Sequence, residues 1–136
     1  MIYVDSSVLL ELYLERPLWA RAREILLAPE PKASSFVLMV EVPVVLRRTL
    51  SRRGDALGLR RCLERFDGDL DRISLTDSLT DAALRIRSDP RFADCRALDA
   101  IHACTALLLK EWTRTHVRVA TFDRGLSALA RDLGLV

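Results

Sequence analysis

Short β-like runs alternate with helix-length segments along the whole chain, and that alternation restricts the fold more than any other feature. I-Y-V-D at 2 to 5 reads as a strand, K-A-S at 32 to 34 as a second, I-S-L at 73 to 75 as a third and V-R-V-A-T at 117 to 121 as a fourth. The stretches between them carry apolar residues at helical spacing. Ser6 or Ser7 is expected to cap a helix beginning V-L-L-E-L-Y-L, and a second helix from about Pro17 carries Trp19, Ala22, Ile25 and Leu26. Ser34 or Ser35 is the expected cap of a third. Further helices are predicted from Asp55 to Leu70, after a cap at Thr76 or Asp77, from Arg96 to Glu111 beyond the turn S-D-P-R-F-A-D, and from 124 to 133 before Gly134. Strands separated by helices imply a mostly parallel sheet covered on both faces. No repeat, linker or low-complexity tract interrupts residues 1–136, which are read as one domain.

One charge sits badly in this pattern. In S-F-V-L-M-V-E-V-P-V-V-L at 35 to 46, Glu41 has Val37, Leu38, Val44 and Val45 as its helical neighbours, so its carboxylate is expected on an apolar face. A buried carboxylate needs a cation or a hydrogen-bond donor, or it becomes neutral. Pro43, two residues on, lacks the N–H that would bond the Met39 carbonyl and should bend or break the helix.

Ligands of parallel sheets gather at the carboxyl ends of the strands. Asp5 ends the first strand, Asp123 follows the fourth in T-F-D-R-G, and Asp99 opens the long helix in R-A-L-D-A-I-H-A, beside a stripe of Leu98, Ile101, Thr105 and Leu108. Each aspartate also has a plainer reading: Asp5 as a helix cap, Asp99 as a dipole partner, Asp123 as a turn residue before Gly125. If they converge with Glu41, repulsion forces protonation unless a cation intervenes, and hard oxygen donors favour Mg²⁺ or Mn²⁺. His102, one turn beyond Asp99, reaches the same region, with a packing or hydrogen-bonding role expected for it. With His102 and His116 the only histidines, a zinc site is not expected, and no phosphate-binding glycine motif is present.

Four fragments, V-D-S-S-V-L-L at 4 to 10, V-E-V at 40 to 42, R-A-L-D-A-I-H-A at 96 to 103 and A-T-F-D-R-G-L at 120 to 126, give the chain its resemblance to PIN-domain ribonucleases. More narrowly it resembles the VapC-type toxins of bacterial toxin–antitoxin pairs, in the order, spacing and total length of these fragments. The resemblance implies a three-layer α/β/α fold with a central, mostly parallel sheet of four to five strands. It carries the acidic quartet onto Asp5, Glu41, Asp99 and Asp123, with Ser6 and Thr121 as supporting polar positions. It further implies Mg²⁺-dependent hydrolysis of RNA phosphodiesters, with one ion or two and Mn²⁺ as a substitute. The principal ion would be held by Asp5 and Asp99 with Glu41, and Asp123 would act through water or a second ion. A homodimer and a small VapB-type antitoxin that blocks the pocket are implied as partners.

Competing classes fit less well. A phosphotransferase with an aspartyl nucleophile at Asp5 would want a second aspartate where Ser7 stands. A catalytically silent binding module of the same fold does not explain why all four acids are present. Cys62, Cys95 and Cys104 form no C-x-x-C pair, which argues against a disulfide framework. The chain begins M-I-Y-V-D, with no basic leader or membrane-length apolar run, and a soluble cytoplasmic protein is expected. All basic residues except Lys32 and Lys110 are arginine, and Arg47, Arg48, Arg52, Arg53, Arg60, Arg61 and Arg65 form either a nucleic-acid surface or a solvated face.

Overall fold

β1 (Ile2–Val4) is wholly buried, with its side chains divided between two cores: Ile2 and Val4 face one side of the sheet and Tyr3 the other. This is what a strand covered by helices on both faces requires. In the computed structural model, which describes residues 1–136, β1 is followed by α1 (Ser6–Tyr13), α2 (Trp19–Leu27) and β2 (Lys32–Ser35). Then come α3 (Leu38–Arg52), α4 (Ala56–Leu70), β3 (Ile73–Thr76), α5 (Leu79–Ser88), a 3₁₀ turn (Pro90–Phe92), α6 (Ala97–Thr113), β4 (Arg118–Ala120) and α7 (Arg124–Asp132).

The four strands form one parallel sheet in the order β3-β2-β1-β4. The chain winds outward from β1 to β3, then crosses back to lay β4 beside β1, with Val4 opposite Ala120. The result is a three-layer α/β/α fold. Residues from α1, α3 and α4 fill one core, and residues from α5, α6 and α7 fill the other. The winding reverses between β1 and β4, and a crevice opens there beyond the strand ends. Asp5 leaves β1 at this crevice, its N–H bonded to the Ala120 carbonyl.

Several local expectations are corrected. Asp5, rather than Ser6 or Ser7, caps α1, because its carboxylate accepts the Ser7 N–H. Ser34 and Ser35 belong to β2; Ser34 donates to the Val4 carbonyl, and Val37 stands at the α3 cap with no side-chain bond. β3 extends through Thr76, and Ser78 precedes α5, spending its hydroxyl on Thr105 rather than on a cap. Pro43 does not break α3, which is helical throughout Leu38–Arg52; Met39, whose carbonyl loses one bond, lies on the exposed side. The stripe expected on α6 is replaced by burial all round, since every residue from His102 to Leu109 is inside while Leu98 is exposed. No helix is long and apolar enough to cross a membrane.

Candidate functional site

Asp5, Glu41, Asp99 and Asp123, from four separated segments, line one cleft of about 340 Å³ at the crevice between β1 and β4. Ser6, Ser7, Arg16, Arg96 and His102 share its walls.

Asp5 is buried at the floor. Its Oδ2 accepts from Ser7 N–H at 3.2 Å, Ser7 Oγ at 2.6 Å and Thr121 Oγ1 at 2.8 Å. The capping bond and the cleft role are therefore divided between the two oxygens, since Oδ1 turns toward His102 Nε2, 3.7 Å away. Thr121 also receives the Asp123 N–H at 3.0 Å, so one hydroxyl ties the end of β4 to the end of β1. Ser7 extends the tie by accepting the Phe122 N–H. Ser6 lines the cleft without any side-chain bond, and the polar residue that supports Asp5 is its neighbour Ser7. A helix beginning at residue 6 directs residues 6 and 7 about 100° apart, which the spelling S-S conceals.

Glu41 occupies the opposite wall. The buried stripe of α3 is Leu38, Val42, Leu46 and Leu50, so Glu41 stands at its edge and not at its centre, and Val44 is exposed. Its side chain is still only 15% exposed, and its partner is His102 Nε2 at 2.5 Å. His102 is buried on α6, and its Nδ1 meets the Tyr3 hydroxyl at 2.8 Å. Burial opposes a charged imidazole, but the Glu41 bond and the nearby Asp5, Glu41 and Asp99 carboxylates outweigh it and raise the His102 pKa. Ligand atoms of Asp5, Glu41 and His102 lie within 4.8 Å of one another.

Asp99 and Asp123 form the rim. Arg96 bridges them, with Nε 2.9 Å from Asp99 and an Nη 2.7 Å from Asp123. Asp123 divides its oxygens as Asp5 does: Oδ1 caps α7 through the Gly125 and Leu126 N–H groups, and Oδ2 takes the guanidinium. The Arg96 bond holds the Asp123 carboxyl below the usual carboxylate range. Gly125 adjoins both acids: a Cβ there would stand 3.1 Å from Asp99 Oδ2 and 3.2 Å from Asp123 Oδ1, a tight contact that would move one or both carboxylates by a few tenths of an ångström.

Sequence reasoning did not single out Ser7, Arg96 or Arg16 for the cleft. Arg96 could have been found from its i,i+3 spacing to Asp99. Of the arginines on α3, Arg47 and Arg48 lie about 9–10 Å along the axis from Glu41 and Arg52 about 16 Å. Arg60 pairs with Glu64, and Arg65 lies over the Tyr13 ring, so part of that face is engaged locally.

Fold and cleft together define a parallel α/β protein whose acidic side chains converge where the winding of the sheet reverses. The family model of the PIN domain matches residues 2–132, and the chain belongs to that family. No curated protein and no solved structure matches it.

Proposed function

We propose that the protein is a metal-dependent endoribonuclease, with Asp5, Glu41, Asp99 and Asp123 as its acidic quartet, acting as the toxin of a toxin–antitoxin pair. The observation that supports this reading is the convergence of four carboxylates from four segments on one cleft. So many acids repel one another unless a cation is close; Arg96 takes that part at the rim, while His102 Nε2 meets Glu41 as a hydrogen-bond partner.

The residues suit Mg²⁺, with Mn²⁺ as a substitute. All four acids supply hard oxygen donors, and Asp5 and Asp123 each use one oxygen for a helix cap while the other faces the cleft. Bound there, a divalent ion would polarise the phosphoryl oxygen and lower the pKa of the attacking water.

The chain's own contribution is mainly placement. Ser7 and Thr121 fix the Asp5 carboxylate, and Gly125 leaves Asp99 and Asp123 free of a tight Cβ contact. Arg96, 68% exposed at the side chain, balances the rim acids and has the reach and charge to meet an RNA phosphate when a cation replaces it. Arg16, in the same wall and without an ion pair, can serve the same anion.

Capture by a small VapB-type antitoxin, assembly as a homodimer and a cytoplasmic setting belong to the same reading and rest on the family resemblance. Phe36, Met39, Val40 and Val44 form an exposed apolar surface that a second copy would cover.

The test is expression without an antitoxin, comparing the native chain with Asp5→Asn, followed by RNA cleavage with and without chelator. Growth arrest and chelator-sensitive cleavage by the native chain alone are expected. Equal toxicity of both chains, or cleavage that survives chelation, would sink the metal-nuclease reading.

A further inference from the structure

A chain of buried polar groups runs beneath Glu41. The Ser35 N–H donates to Tyr3 Oη at 3.0 Å, Tyr3 Oη meets His102 Nδ1 at 2.8 Å, and His102 Nε2 meets Glu41 Oε2 at 2.5 Å. It joins β2, β1, α6 and α3, with Tyr3 and His102 both inside the protein. The rings stand edge to face, 5.9 Å between centroids.

We propose that Tyr3 and His102 are positioning residues that set the Glu41 carboxylate against Asp5. The inference rests on the cation reading of the cleft. Its ground is a difference among the acids. Asp5 and Asp123 are fixed by N–H groups of the helices they cap, and Asp99 by Arg96 one turn before it. Glu41 has no bond to its own helix, and His102 is its sole side-chain partner. Its helix starts without a side-chain cap, and its own N–H is spent on the Val37 carbonyl, so nothing local holds the carboxylate.

The polarity of the chain follows from its donors. Tyr3 Oη accepts from Ser35 and turns its proton to Nδ1, so a neutral imidazole carries hydrogen on Nε2 and donates to Glu41. A protonated ring keeps that donation.

Nor is His102 a cation ligand in this arrangement. The Nε2 that faces the cleft carries the hydrogen it donates to Glu41, which leaves that nitrogen no lone pair to offer a cation. His102 therefore acts through Glu41, and groups bonded to cation ligands typically change metal affinity by about 10–100-fold when removed.

The experiment is Mn²⁺ binding, followed by the EPR signal of the free ion, on the native chain, His102→Ala, Glu41→Gln and the double variant. Each single variant should bind about tenfold more weakly or worse, and the double should be no weaker than the weaker single. Tyr3→Phe should weaken binding several-fold, and His102→Gln, which keeps an amide donor, should recover part of the loss. Losses that multiply in the double variant, or native affinity in His102→Ala, would overturn the inference. If His102→Ala does not fold, Tyr3→Phe decides, and native affinity there overturns it. A native chain that binds no Mn²⁺ would remove the cation reading itself, whereas native binding with independent losses would remove only this one.

Discussion

The interior of the cleft and its rim hold like charges by unlike means. Asp5 and Glu41 are met by hydroxyls, a backbone N–H and an imidazole, supplied by residues that are themselves buried or half-buried. Asp99 and Asp123 share one guanidinium whose side chain is 68% exposed. The first arrangement is part of the core and forms when the chain folds. The second is an ion pair at the surface, screened by water and salt and open to exchange. An acidic cleft built this way keeps its floor rigid and its rim replaceable.

The largest effect that would test this contrast is on activity. Asp5→Asn should lower Mn²⁺-dependent RNA cleavage by roughly 10³-fold, since metal stabilisation of the transition state is worth several kcal/mol. A loss of that size at the floor with an intact melting curve would separate chemistry from folding.

Next comes stability of the floor. Thr121→Val removes the hydroxyl shared by Asp5 and the Asp123 N–H and should cost about 1–3 kcal/mol, read as a lowered thermal midpoint. No change would mean that the tie between β1 and β4 contributes nothing beyond the sheet.

The rim should behave differently. Arg96→Ala is expected to alter stability by about 1 kcal/mol or less, because the guanidinium is largely open to solvent. The same variant should bind Mn²⁺ a few-fold more tightly in calorimetry, since a competing cation has gone. Weaker Mn²⁺ binding would show that the rim is as integral as the floor.

The smallest effect lies outside the cleft, at the pair of Arg91, about half exposed, and Asp89, whose side chain is 10% exposed. The Arg91 side-chain bond lowers the Asp89 pKa from 3.8 to about 2. A lowered carboxylate favours the folded state above its unfolded pKa, and that contribution fades as pH falls from about 3.8 toward 2. Arg91→Ala should therefore flatten acid unfolding in that window and lower the melting midpoint slightly at pH 7, where the contribution is fully present, with the two chains converging below pH 2.

How much could be read beforehand varied with the range of the interaction. The parallel three-layer fold was legible because the strand and helix periods are local, and the strand ends at Asp5 and Asp123 followed from it. Caps were less legible: at the start of α1 three polar residues compete, and only the turn of the chain selects Asp5. Glu41 was readable as a charge in an apolar run, but not its position at the edge of the buried stripe. The α3 helix also runs on through Pro43, where the sequence alone had marked a bend or a break.

Alternating periods and the places where runs stop were set by the sequence itself, because they depend on neighbours a few residues apart. They fixed the layer order and sent four carboxylates toward one end of the sheet. The companions of those carboxylates came only with the tertiary structure. Tyr3 and His102 are 99 residues apart, Glu41 and His102 are 61, and Ser7 and Phe122 are 115. Such pairings depend on how α3 and α6, packed on opposite faces of the sheet, meet beyond its strand ends, and no local pattern encodes a distance of that kind.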